Sequence, residues 1–193
     1  MASATADRPP KAAERIQTAA KDLFHRQGIR ATGVEEVCRA AEATKMSLYR
    51  AYPSKDALVA AILCEDAAAY NAWFRDATAH AASPAEKLRA AVEAFAGKLD
   101  GPETSGCPLL LAQAEFRDPA HPTHRLVAEH KGRMRGAFAG LARDAGAARP
   151  ELLGDALALL VDGAWSSTPY MGGARAAEVL RHAAEAVLRE AMP

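Results

Sequence analysis

Apolar residues recur along this chain at intervals of three and four, the spacing that lines one face of a helix. No stretch shows the alternation a half-buried strand needs. Ile16, Ala19, Ala20, Leu23 and Phe24 predict a first helix from about Lys11 to Gln27, with Gly28 past its end. Val34, Val37 and Ala41 mark a short second helix, capped by Thr32 or Gly33. A third short helix starts behind Thr44, a good N-cap. It stops at Tyr52-Pro53, because the residue before proline is driven out of the helical region. Ser54 then caps a long fourth helix to about His80.

Ser83-Pro84-Ala85-Glu86 is a capping box with proline at the first helical position, opening a fifth helix that ends near Leu99. Residues 100–106 read as a loop. A short sixth helix covers about Pro108–Phe116. A seventh covers about Pro122–Ala145, with Leu126, Val127, His130, Met134, Phe138 and Leu141 in helical repeat. The eighth follows Pro150 and is apolar around its whole circumference from Leu152 to Trp165, which predicts burial on more than one side. The ninth spans about Ala174–Ala191. The expected fold is all-α, with about nine helices.

Composition agrees. Alanine makes up a quarter of the 193 residues, and aromatic residues only 6%. No apolar run reaches the ~18–20 residues of a membrane span. Residues 1–10 carry no apolar core of a secretory signal and read as a disordered tail. Cys38, Cys64 and Cys107 are odd in number and never spaced C-x-x-C, which argues against a disulfide framework and fits a reducing cytoplasm. The net charge is zero, but residues 1–55 hold ten basic and six acidic side chains and the remainder fourteen and eighteen. The front of the chain is therefore suited to something anionic.

The second and third helices, joined by about three residues, have the proportions of a helix-turn-helix. Leu48 and Tyr52 can point inward together, towards Phe24 and Val37. Lys45 with Tyr49 and Met46 with Arg50 are left as exposed stripes, with Ser47 between them. Stability explains such a face poorly, whereas a DNA duplex explains it well, through base edges and phosphate oxygens. Lys55, in the first turn of the fourth helix, opposes the helix dipole, a small cost that a phosphate contact would explain.

Thr32-Gly-Val-Glu-Glu-Val, then Ala40-Ala-Glu-Ala-Thr-Lys-Met-Ser-Leu-Tyr-Arg-Ala-Tyr-Pro-Ser-Lys-Asp-Ala-Leu58, resembles the signature of the TetR family of transcriptional regulators. Gly106-Cys107-Pro-Leu, Glu115-Phe116, Asp118-Pro119 and His121-Pro122 further resemble one branch of it. The resemblance implies a three-helix DNA-binding domain over 11–56, its helix-turn-helix at about 33–52, and a helical ligand-binding and dimerisation domain over 57–193. It implies base-edge or phosphate contacts from Thr44, Lys45, Met46, Ser47 and Arg50. Phosphate contacts are implied for Tyr49, Lys55 and the start of the second helix at Gly33 and Val34. Three positions depart from the pattern. Glu42 stands where the turn usually has glycine, Gly33 where Ser or Thr is usual, and Ala51 where a larger side chain is common.

Double-stranded operator DNA, a homodimer and a small-molecule effector are the partners implied, with no cofactor, no metal and no membrane. Pairing of the eighth and ninth helices with their symmetry mates would make a four-helix bundle, through Leu157, Val161, Leu180, Ala184 and Val187. The alternative is that both helices complete the monomer's own core. An effector cavity would be lined by Tyr70, Trp73 and Phe74 of the fourth helix and Phe95 of the fifth. Cys107, Leu110, Leu111 and Phe116 of the sixth, His130 and Met134 of the seventh, and Trp165 of the eighth would complete it. Plain core packing is the alternative for each.

Little else in the chain suggests chemistry. His121-x-x-His124 near His130 is the one histidine cluster and reads as polar surface. No glutamate has histidine three residues on, as a di-iron bundle needs, and no phosphate loop or hydrolase elbow appears. Cys107, ahead of a helix, is either a reactive thiol or a small buried hydrophobe. The expected function is a ligand-responsive repressor released from a palindromic operator by a small organic molecule. The alternative is a helical binding protein or scaffold with degenerate DNA reading.

Overall fold

The computed structural model describes residues 11–101 and 106–192, so the expected tail and most of the 100–106 loop lie outside the described residues. Among the described residues there are nine helices and no strand: α1 Ala12–Gln27, α2 Val34–Ala40, α3 Lys45–Ala51, α4 Lys55–Ala79, α5 Pro84–Leu99, α6 Pro108–Glu115, α7 Pro122–Asp144, α8 Pro150–Met171 and α9 Gly173–Ala191. Their starts follow the local chemistry. Thr44 Oγ1 accepts the Ser47 N–H at 3.1 Å and Ser54 Oγ accepts the Ala57 N–H at 3.0 Å. Ser83 and Glu86 satisfy each other's backbone N–H groups as a capping box. Of the two residues expected to cap α2, Gly33 takes the position. Thr32 is buried and its hydroxyl donates to the Gly28 carbonyl at 2.7 Å, fastening the α1–α2 turn, while Gly33 stands at the N-cap with no side chain to offer.

Two apolar cores organise the chain. In the first, Ile16, Leu23 and Phe24 of α1 meet Val37 of α2, Leu48 of α3 and Leu58 and Ile62 of α4. Leu109 and Ala112 of α6 and Val127 of α7 belong to the same cluster. The helices that carry the basic front are thus packed directly on those that follow. In the second core, α5, α7, α8 and α9 bury Leu88, Phe95, Phe138, Leu157, Leu180 and Leu188. Helix α4 runs through both. At Gly154 a Cβ would lie 2.7 Å from the Ala139 backbone nitrogen, so α7 and α8 approach as closely as only glycine permits. Pro169 lies within α8, and the Trp165 carbonyl, which its missing N–H would have met, accepts the Thr168 hydroxyl at 3.0 Å instead.

The expected subunit contact is corrected by this packing. Leu157, Val161, Leu180 and Ala184 are closed off in the chain's own second core, and Val187 packs against it. All-round apolarity on α8 has a different meaning from burial on every side. One stripe fills the core, and the opposite stripe, Leu152 and the 74% exposed Leu159, faces outward with Tyr170. Val179 of α9 is also exposed.

Candidate DNA-reading face and effector cavity

Helix α3 is held by its apolar side. Leu48 is fully buried, and Tyr52, at the helix C-cap, packs on the same core and donates its hydroxyl to Gln17 of α1. This anchoring turns Thr44, Lys45, Met46, Tyr49 and Arg50 outward, while Ser47 is half-buried with its hydroxyl 3.0 Å from that of Thr44. Met46 is 72% exposed and Tyr49 48%, large apolar surfaces that water disfavours. Gly33 and Val34 open α2 on its exposed or half-exposed side, and Lys55 is half-buried at the start of α4. Burial lowers the Lys55 pKa, with Glu115 and Asp56 opposing and Arg30 adding to the effect.

Two features set the working state of this face. Lys45 is ion-paired to Glu35 of α2, each holding the other in its charged form. A phosphate would have to compete with that carboxylate. The second feature is Glu42, whose φ of +47° is the left-handed conformation glycine adopts freely. The Ala43 N–H still reaches the Cys38 carbonyl at 2.9 Å, and Arg15 Nε donates to the Ala41 carbonyl at 3.1 Å. The turn is therefore held shut at the cost of local strain.

Behind this unit lies a cavity of about 390 Å³ between α1, α4, α5, α6, α7 and α8. Tyr70, Trp73, Phe95 and Trp165 give it aromatic walls, and Cys107, Leu111, His130 and Met134 also line it. The other three expected lining residues lie elsewhere. Phe74 is in the second core, Leu110 packs on the first, and Phe116 stacks on His121 with ring centroids 3.7 Å apart. Lys131 Nζ donates to Cys107 Sγ at 3.6 Å and is ion-paired to Asp162. Lys98 lies 4.2 Å over the Trp73 ring. At the far end the wall includes Phe24 and Ile29 of the first core.

Residues 16–62 match the family model for bacterial regulatory proteins of the tetR family. A protein assigned as a TetR transcriptional regulator from Streptomyces avermitilis is 32% identical, over 95% of this chain and 100% of that one, with a TM-score of 0.84. The chain belongs to the TetR family. A TetR-family transcriptional regulator from Streptomyces coelicolor is 28% identical over 93% of this chain and 95% of its own, with a TM-score of 0.89. The reduced form of NemR from Escherichia coli shares the fold, at a TM-score of 0.80 and 17% identity over 91% and 97% of the two chains. No curated protein matches. As a TetR-family member the chain is a DNA-binding transcriptional regulator. No helix among the described residues is long and apolar enough to cross a membrane.

Within this TetR-family frame, one link between the two units went unread in the sequence. The Ile29 and Arg30 backbone N–H groups donate to the two carboxylate oxygens of Glu115, at 2.8 and 2.7 Å. Glu115 is the last residue of α6 and also lines the cavity. It clamps the turn after α1, where Gly28 (φ +90°) leaves room for the carboxylate. A local sign existed, because an acid in the last turn of a helix opposes the dipole and has to find its donors elsewhere. The histidine cluster is structural. His124 is 2.8 Å from the Phe116 carbonyl through Nε2 and 3.2 Å from Gln113 Nε2 through Nδ1, while His121 Nδ1 accepts the Thr123 N–H. The described residues hold no group of three or more His, Cys, Asp or Glu placed for a metal.

Proposed function

We propose that this regulator represses transcription as a homodimer on a palindromic operator and is released when a small organic molecule enters the cavity. On this reading α3 lies in the major groove. Met46, Ser47 and Arg50 meet base edges or phosphates there with Thr44 and Lys45, and Tyr49, Lys55 and the start of α2 at Gly33 and Val34 hold the backbone. The outward stripe of α8 and the exposed side of α9 meet their symmetry mates, so that two recognition helices face two half-sites.

The observation that carries the ligand response is the reach of the cavity. Its wall includes Ile29 and Glu115, the two ends of the hydrogen-bonded clamp on the DNA-binding unit. A molecule that displaces α6 by a fraction of an ångström would move that clamp, and DNA affinity would fall by the coupling energy between the two sites. Arg50→Ala and Tyr49→Phe separate reading from positioning. Arg50→Ala should relax preference at particular base pairs, by about 1–3 kcal/mol at each position read. Tyr49→Phe should weaken all duplexes alike. Uniform losses from Arg50→Ala in a panel of single-base operator variants would overturn its assignment as a base reader.

A further inference from the structure

We infer that the effector is an uncharged molecule carrying a hydroxyl group on a flat or apolar skeleton, and that Tyr70 and His130 recognise the hydroxyl. The inference rests on the reading of this cavity as the effector site. His130 is only 2% exposed, and its Nδ1 has no hydrogen-bond partner; the buried Tyr70 hydroxyl has none either. Both residues line the cavity, with their rings edge to face 4.7 Å apart. A protein rarely leaves two such groups unmet at one place, because each forfeits the hydrogen bond it had in water. They share the wall with Trp73, Phe95, Met134 and Trp165, and Tyr70 lies against the Trp73 and Phe95 rings.

The chemistry of the spot narrows the occupant. Burial raises the Tyr70 pKa far above the physiological range, so the phenol stays neutral. Burial, then the Lys131 and Arg133 charges, lowers His130 to about 4, so its imidazole is neutral as well. A hydroxyl is donor and acceptor in one atom and satisfies the pair in either imidazole tautomer. A carbonyl, which only accepts, serves one tautomer, and a hydrocarbon serves neither. The ionised groups on the wall are largely engaged within the protein. Lys131 is paired with Asp162, Glu115 holds two amides and Lys98 lies over the Trp73 ring. Asp66 is paired with Lys21 through Oδ1, and its Oδ2, without a hydrogen bond, stands 3.9 Å from His25 Nε2. A charged ligand would lose its hydration for little return. At about 390 Å³ the cavity is near the small end for organic ligands, suited to a one- or two-ring molecule.

The test is calorimetric titration of the DNA-free protein with 2-naphthol, naphthalene and 2-naphthoate, followed by quenching of tryptophan fluorescence. Both tryptophans of the chain, Trp73 and Trp165, line the cavity and report a probe that enters it. Expected are quenching and about tenfold tighter binding of 2-naphthol than of naphthalene, from one well-made hydrogen bond or two weaker ones. Tyr70→Phe should bring 2-naphthol down to the naphthalene level and leave naphthalene unchanged. Equal binding of the two, tighter binding of 2-naphthoate, heat without quenching, or no binding by any probe would each overturn the inference. No DNA is present, so 2-naphthol that binds as expected yet leaves the operator complex intact would count against the effector reading alone.

Discussion

The outer face of α3 and the inner wall of the cavity break the usual rule of burial in opposite directions. On α3, Met46 and Tyr49 spread apolar surface into water. In the cavity, the Tyr70 hydroxyl and His130 Nδ1 are withdrawn from water without a partner. Neither arrangement helps the chain to fold, and each is what a binding site looks like before its partner arrives. The difference lies in how each is held. The α3 residues stand on a helix anchored from behind by Leu48, so they can be replaced without disturbing the core. Tyr70 and His130 are part of the packing through their rings, and loss of either ring is felt by the fold around it.

The largest consequence of that contrast is a dependence on pH. The unfolded chain takes up a proton on His130 between pH 6.5 and about 4 that the folded chain refuses. Stability should therefore fall as pH drops through this window, by on the order of 3 kcal/mol. Urea titrations of His130→Gln across the same range should show a correspondingly flatter profile, and an unchanged slope would mean that the buried imidazole is not the group responsible. Next in size is the clamp. Glu115→Ala removes two charge-assisted hydrogen bonds and should cost about 2 kcal/mol in denaturant midpoint measurements. It should also blunt the release of DNA by any effector, while Glu115→Gln, which keeps one acceptor, should do less.

Glu42→Gly should act in the other direction. Relief of the left-handed strain is expected to raise stability by about 1 kcal/mol, with DNA affinity retained if the turn already has its working shape. The smallest effects belong on the outer face. Met46→Ala and Glu35→Gln should each leave the thermal midpoint nearly unchanged. Their DNA affinities should part, Met46→Ala binding several-fold more weakly and Glu35→Gln a few-fold more tightly, because Lys45 is then released to phosphate. A loss of stability from Met46→Ala would break the contrast between a face made for a partner and a core made for the fold.

Much of this was legible in the amino-acid order, and for physical reasons. Thr44, Ser54 and the Ser83–Glu86 box are local capping devices, so helix boundaries could be read within a residue or two. The α3 face was legible because exposed residues that do nothing for stability stand out against a helical repeat. Periodicity is weaker where a helix is apolar on two sides. It could not say which stripe of α8 turns inward, so Leu157 and Val161 were expected at a subunit contact and Leu159 was not. The same ambiguity put Phe74 in the cavity wall. The bonds from Ile29 and Arg30 to Glu115 join residues about 85 positions apart. Only the fold brings such residues together. Lys45–Glu35 was likewise invisible, whereas glutamate in a glycine position at 42 already implied a turn that strains or opens differently, and it strains.

The central claim is that α3, presented twice by a dimer, reads a DNA sequence. Its most direct test is selection of random duplexes by the purified protein, with sequencing of the bound pool and a salt titration of the best binder. A palindromic consensus, with half-site centres about one or more helical turns apart and affinity far above that for random DNA, is the predicted result. Weak, salt-sensitive binding to every duplex, with no sequence enriched, would contradict it.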